Sequence, residues 1–348
     1  VTPELADLGL APFFTRQLNE RELEHAALAR VTEVQRSGVV AHDGRDERRY
    51  ALGGSWFNLP AEERPTVGDW VVLNEARDKI QRLLERKSVF KRVAVGSKID
   101  VQLIAANIDT LFIVTSCNDE FNESRLERYL ALAAEAGVEP VLVLTKADLV
   151  EDADAYRDRV RAIGAHLPVE IVNSHDMKSL QGVLAWVGKG MTVALVGSSG
   201  VGKSTIVNSL SGQVVLDTGA IREHDAKGRH TTSFRSLHRL PGGGLLLDVP
   251  GMRELKVAQL DDALSAVFAD VASLADNCRF RDCEHNNEPG CAVRAAIAAG
   301  TLDERRLRNY RKLLREEARH TTSLADQRHR EKQFARVVQQ SIDLKRRH

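Results

Sequence analysis

Residues 191–205 read MTVALVGSSGVGKST. An apolar run ends at Val196, and Gly197, Gly202, Lys203 and Ser204 then satisfy G-x-x-x-x-G-K-[ST] where a helical pattern opens. Strand, glycine-rich turn and helix N-terminus make a phosphate cradle. The glycines let backbone N–H groups turn inward, and the helix dipole favours the anion. The candidate phosphate site is therefore the loop Gly197, Ser198, Ser199, Gly200, Val201, Gly202, Lys203, Ser204 and Thr205. In that motif the lysine, here Lys203, reaches the β- and γ-phosphates, and the hydroxyl that follows, Ser204, is placed for Mg²⁺.

Around this loop, from about residue 108 to 250, apolar runs alternate with helical patterns. Thr110–Ser116 is followed by a helix after Asn122 with Leu126, Tyr129, Leu130 and Ala133 on one face, stopped by Gly137. Alternation of this kind implies a doubly wound, largely parallel α/β sheet. The run Val141–Leu144 ends in Thr145-Lys146-Ala147-Asp148. A carboxylate at Asp148 can accept two hydrogen bonds from the guanine N1–H and exocyclic amine, a donor pair adenine lacks. The Lys146 stem can lie across the base. The competing reading of Asp148 is a helix N-cap. GTPases often carry Asn at the first position, so Thr145 leaves the link from this loop to the phosphate loop open. Ser174, in Val172-Asn173-Ser174-His175, is a candidate backbone contact to the base.

Downstream, LLLDVPGM ends an apolar strand in D-x-x-G. Asp248 can hold the Mg²⁺ shell through water, and the Gly251 N–H can sense the γ-phosphate. Between the two lies Gly228-Arg229-His230-Thr231-Thr232, where either threonine can ligate Mg²⁺. Met252 stands where many GTPases carry a water-orienting glutamine, and a thioether does that job poorly. Slow intrinsic turnover is expected, with His230 as the candidate that positions water and Arg229 or Arg253 beside the phosphoryl charge. The order is unusual: T-K-x-D (145–148) precedes the phosphate loop (197–204), which precedes D-x-x-G (248–251). The same sheet forms if the old termini are joined and new ones cut elsewhere, giving a circularly permuted P-loop GTPase domain.

The rest of the 348 residues allows two or three domains. Hydrophobic residues make up 43% and charged residues 28%, enough for a real core. Lys+Arg and Asp+Glu are both 49, which excludes a globally basic coat. The charge is polarised, however: residues 301–348 hold 14 Lys/Arg against 7 Asp/Glu, leaving 35 against 42 elsewhere. No apolar run approaches the roughly 18 residues of a membrane span, and VTPELADLGLAPFF lacks the basic flank of a signal peptide, so a cytoplasmic, membrane-free protein is expected. Residues 1–29 read as a polar lead-in of weak helical character. Residues 30–95 carry short alternating runs (Val31–Val34, Gly38–Ala41, Arg49–Leu52, Trp70–Leu73) between turn signals, a pattern of a small β-barrel of OB or SH3-like type.

Residues 278–291 read CRFRDCEHNNEPGC. In C-x₄-C-x-H-x₅-C, Cys278, Cys283, His285 and Cys291 supply three thiolates and an imidazole, a closed tetrahedral set for one structural zinc. Cys117 reads as an ordinary buried thiol. Basic helical patterns follow, with Arg305, Arg306, Arg308, Arg311, Lys312 and Arg315, then Arg328, Arg330, Lys332 and Arg336. A solvated helix face explains such a run. Beside a barrel and a zinc loop, RNA binding gains weight.

Taken together, GDWV (Gly68–Val71), QLIAAN-D (Gln102–Asp109), T-K-x-D, GSSGVGKST, GRHTT, D-x-P-G and the Cys/His spacing resemble the bacterial ribosome small subunit-dependent GTPase A family over roughly residues 30–320. The resemblance implies a multidomain α/β chain: lead-in 1–29, OB-fold barrel 30–95, circularly permuted GTPase domain 96–255, and zinc-binding helical domain 256–348 with a basic tail. It implies GTP/GDP, Mg²⁺ and one Zn²⁺ per chain. It also implies contact with the small ribosomal subunit and its rRNA, and GTP hydrolysis stimulated by that subunit late in its maturation. A monomer is expected. The alternatives are an RNA-binding assembly scaffold for which nucleotide is only a stabilising ligand, and a permuted GTPase acting on the large subunit, against which the barrel-plus-zinc architecture argues.

Overall fold

The computed structural model describes residues 3–25, 27–94, 100–212, 236–248 and 261–318. The chain divides into two compact units, one of Val1–Lys91 with Leu103–Leu255 and the other of Arg92–Gln102 with Lys256–His348. In chain order the first unit opens with three short helices, α1 (Pro3–Asp7), α2 (Pro12–Thr15) and α3 (Glu20–His25). Strands β1 (Ala27–Gln35), β2 (Gly38–His42) and β3 (Glu47–Ala51), helix α4 (Gly54–Phe57), and strands β4 (Trp70–Leu73) and β5 (Ile80–Leu83) follow. These five strands pair antiparallel in the order β3-β2-β1-β4-β5. Among the described residues no ladder joins β3 to β5, so a closed barrel is not what the strand pairing gives.

The expected polar lead-in is a packed element. Leu8, Leu10 and Phe14 are buried with Leu28, Trp70, Val72 and Leu84. The stretch LGLAPFF was too short to show a helical period, yet it supplies an apolar plug. Its seat is close: a Cβ on Gly9, at φ +86°, would lie 2.6 Å from the Gly190 carbonyl oxygen. Arg30 of β1 fastens the same junction. Its guanidinium is buried and donates to the carbonyls of Leu8, of Gly68 at 3.3 Å and of Asn107 at 2.9 Å. Burial pushes its pKa down to about 10, and the nearby Asp109 and Asp69 charges oppose that shift, so the cation persists at neutral pH. Arg30→Ala would orphan the Leu8 and Asn107 carbonyls and leave a void, while the Gly68 carbonyl keeps its bond from Asn107 Nδ2 at 3.0 Å. We expect a loss of about 3–5 kcal/mol in chemical denaturation, and a loss under 1 kcal/mol would refute this fastening role.

Strands β6 (Val89–Ala94) and β7 (Asp100–Ala106) form a separate two-stranded sheet. The alternating part then runs β8 (Thr110–Ser116), α5 (Glu123–Ala136), β9 (Glu139–Thr145), α6 (Asp154–Ile163), β10 (Val169–Ile171), α7 (Gln181–Ala185), β11 (Thr192–Val196), α8 (Lys203–Ser211), β12 (Ser236–Arg239) and β13 (Leu245–Asp248). The sheet order is β10-β9-β8-β11-β13-β12, parallel except for the last strand. β1 meets β12 at Glu33↔Ser236, which makes one 11-stranded sheet of both sets. β8 is buried along its whole length, as a parallel strand covered on both faces should be. Helix α5 has the bounds its sequence announces: Asn122 Oδ1 accepts the Arg125 N–H at 2.9 Å, and Gly137 ends the helix in the left-handed region at φ 70°.

The second unit is helical, with α9 (Asp261–Val267), α10 (Ala269–Ala275) and α11 (Ala292–Ala298), followed by helix α12 at 304–318. Leu264, Phe268, Val271, Val293, Leu307 and Leu313 are buried there. The basic run is not uniformly solvated. Arg306 is buried, pairs with Asp270 and lies 4.8 Å from the Phe268 ring centroid. Arg308, Lys312 and Arg315 are exposed, spaced four and three apart on one helical stripe. Among the described residues no helix is long and apolar enough to cross a membrane.

Candidate nucleotide site and metal centre

Chain entering β9 and β10 leaves β8 on one side, while chain entering β13 leaves β11 on the other. The C-terminal ends of β8 and β11 therefore flank a topological switch point, where open α/β sheets hold ligands. The phosphate loop follows β11 at that edge. Gly197, at φ 149°, admits no side chain, because a Cβ would lie 2.2 Å from the Val114 carbonyl oxygen on β8. Gly202, at φ 92°, is the N-cap of α8. Both conformations suit glycine, and they turn the loop back on the helix N-terminus. Lys203 Nζ donates to the Gly197 carbonyl at 2.9 Å and to that of Ser198. Ser199 and Gly200 are exposed, and Ser198, Ser204 and Thr205 are half-buried.

The segment expected to read the base starts at the end of β9, one strand beyond β8, with Thr145 opposite Ser116. Thr145 is fully buried, and its Oγ1 donates to the carbonyl of Val201 at 2.6 Å in the phosphate loop, with Thr115 O at 3.2 Å. The open question at this position is thereby answered: a hydroxyl makes the link. Lys146 sits in the left-handed region (φ 58°, ψ 33°), an unfavourable conformation for a non-glycine residue and one that clusters at functional sites. Asp148 is exposed in the short turn Ala147–Leu149 and caps no helix; in the α6 entry turn it is Asp152 Oδ1 that accepts from the Ala155 N–H, at 3.1 Å.

Ser174 closes the far side. Its carbonyl accepts from Ser209 Oγ of α8 at 2.9 Å, and its own Oγ is buried with no hydrogen-bond partner. That orphaned hydroxyl stands within 3.4 Å of where a Cβ on Gly202 would be. A buried polar atom without a partner is costly, and this one faces the junction of the two loops. Asp248 ends β13, the strand beside β11. His230, Thr231, Thr232, Gly251 and Met252 lie outside the described residues.

One contact was not legible. Arg125, in the first turn of α5, donates through Nη1 to Ser198 Oγ. The two residues are 73 apart in sequence, and Ser198 is a free position of the phosphate-loop motif, so neither spacing nor motif signals the pair.

In the second unit the four metal candidates do converge. One donor atom from each of Cys278, Cys283, His285 and Cys291 lies within 4.8 Å of the others. Cys278 Sγ and Cys291 Sγ are 3.9 Å apart, and each is 3.5 Å from His285 Nδ1. A tetrahedral ion with bonds of about 2.0–2.3 Å needs ligand separations of about 3.5–3.8 Å, close to those among Cys278, His285 and Cys291. Burial and the positive charge of Arg311 hold the His285 imidazole below its ordinary pKa, in the neutral form that ligates. Burial raises the Cys278 thiol, but backbone hydrogen bonds from Val293 and Ala292, together with side-chain bonds from Cys283 and Cys291, lower it overall. The loop is buttressed: Arg294 Nε donates to the His285 and Asn286 carbonyls, each at 2.9 Å, and Arg311 donates to the Glu284 carbonyl. The basic run thus spends Arg311 on this loop.

Comparison with known proteins gives the same architecture. A family model described as RsgA GTPase matches residues 83–258. The protein named small ribosomal subunit biogenesis GTPase RsgA 2 of Vibrio parahaemolyticus is 49% identical over 342 residues, covering 98% of this chain and 94% of that protein. The small ribosomal subunit biogenesis GTPase RsgA of Mesorhizobium japonicum is 48% identical, with 92% of each chain covered. Among solved structures, YloQ, described as a circularly permuted GTPase, superposes with a TM-score of 0.59 at 25% identity, covering 86% of this chain and 97% of that one. YjeQ from Thermotoga maritima gives a TM-score of 0.59 at 22% identity over 84% and 98%, a likeness of fold. The chain belongs to the RsgA GTPase family.

Proposed function

We propose that this chain binds GTP between the 145–148 and 197–205 loops and hydrolyses it in small ribosomal subunit biogenesis, late in maturation and stimulated by the subunit. The observation that carries the reading is the 2.6 Å bond from Thr145 Oγ1 to the Val201 carbonyl, which ties the 145–148 loop to the 197–205 loop. Lys203 would leave its carbonyls for the β/γ-phosphate oxygens, and Gly197–Gly202 would offer N–H groups to the phosphate chain. Ser204 and Asp248 would hold Mg²⁺, which neutralises charge on those oxygens when bound. Asp148 would read guanine with Lys146 across it, and Ser174 would close the pocket. His230 is proposed to orient water, Thr231 or Thr232 to complete the Mg²⁺ shell, and Gly251 to sense the γ-phosphate.

The Cys278, Cys283, His285 and Cys291 donors are proposed to hold one zinc, which would fix a loop with little core of its own. The antiparallel order β3-β2-β1-β4-β5 supports reading these strands as a five-stranded, partly open OB-type barrel. We propose this fold for 30–95, after a lead-in at 1–29, with the GTPase domain at 96–255 and the zinc domain at 256–348. The stripe Arg308, Lys312 and Arg315 is proposed to meet rRNA phosphates. The protein would act as a cytoplasmic monomer. GTP turnover measured with and without purified small subunits tests the reading: stimulation of at least tenfold is expected. Binding of the subunit without added turnover would instead support a scaffold for which nucleotide is only a ligand.

A further inference from the structure

The phosphate loop is held by two cations, and the motif accounts for only one. Lys203 Nζ bonds the carbonyl of Ser198, and Arg125 Nη1 bonds the hydroxyl of the same residue. Arg125 is aimed by its local fold. β8 lies beside β11, with Ile113 opposite Val196, so the first turn of α5 opens at the sheet edge that carries the phosphate loop. The Asn122 cap fixes that turn. Arg125 also pairs with Glu120, at 3.6 Å and 53% exposed, which is too solvated to neutralise it.

Ser198 marks the end of the loop where the Lys203 ammonium rests, and in this motif that ammonium serves the β- and γ-phosphates. A triphosphate brings more negative charge to that end than a diphosphate. When Lys203 turns to the nucleotide, Arg125 remains to hold Ser198 in place and to add positive charge there. We infer that Arg125, acting through Ser198, is a positioning residue that makes the site prefer the triphosphate over the diphosphate. This rests on the nucleotide site proposed above.

The test is equilibrium titration of the full chain with GDP and with a non-hydrolysable GTP analogue in Mg²⁺ buffer. Arg125→Gln should weaken the analogue about tenfold and GDP less than twofold. Arg125→Lys, which keeps the charge without the fork, should recover part of the preference, and Ser198→Ala should lose preference in the same direction as Arg125→Gln. Equal weakening of both nucleotides by Arg125→Gln and Arg125→Lys would mark a merely structural role and overturn the inference, as would unchanged binding of both. A wild-type chain that binds neither nucleotide, or a Lys203→Ala chain that binds both as tightly as wild type, would instead overturn the nucleotide site and this inference with it.

Discussion

Asp148→Ala is expected to weaken GDP and GTP binding by about 10²–10⁴-fold, the loss of two charge-assisted hydrogen bonds worth about 1.5–3 kcal/mol each. The side chain is exposed, on a turn that the left-handed Lys146 lifts off the end of β9. It caps no helix, so its removal should leave the fold alone. ADP binding supplies the control, because adenine offers no donor pair to this carboxylate while its phosphates meet the same loop. Titration of the variant with GDP and ADP should show guanine affinity falling toward adenine affinity. If both fall together, Asp148 supports the loop and does not read the base.

Removing the proposed zinc should have the other large effect. Structural zinc contributes roughly 10 kcal/mol or more to small metal-dependent folds at neutral pH. Cys291 is both a donor and the N-cap of α11, where its Sγ accepts the Arg294 N–H. Losing the ion would therefore free the 278–291 loop and loosen the start of that helix. Elemental mass spectrometry should find one zinc per chain, and Cys291→Ser or a strong chelator should abolish it. Thermal unfolding followed by circular dichroism should then lose the transition of the second unit while nucleotide still binds the first. Full zinc content in the Cys291→Ser chain would contradict the assignment.

How much of this was legible in the sequence depends on how far each signal reaches. The phosphate loop was legible because its glycines answer local demands: Gly197 has Val114 against it and Gly202 is a left-handed cap. The metal set lies within 14 residues, so spacing alone brought it together. Helix α5 carried its own start and stop at Asn122 and Gly137. What composition could not give was direction in space. Arg306 reads as one more cation in a basic run, yet it turns inward to Asp270 and Phe268. Phe14 reads as part of a polar lead-in, yet it packs on Trp70 with ring centroids 5.9 Å apart. Arg125 meets Ser198 only because β8 and β11 are neighbours, a pairing set by the sheet and not by either segment.

Competition between GTP and ATP for the intact chain, by calorimetric titration, tests the central claim most directly. Saturable one-to-one binding of GTP, with ATP weaker by at least a hundredfold, is the result predicted for a carboxylate at 148 joined to a phosphate loop through Thr145. ATP binding as tight as GTP, or no heat from either nucleotide, would contradict it.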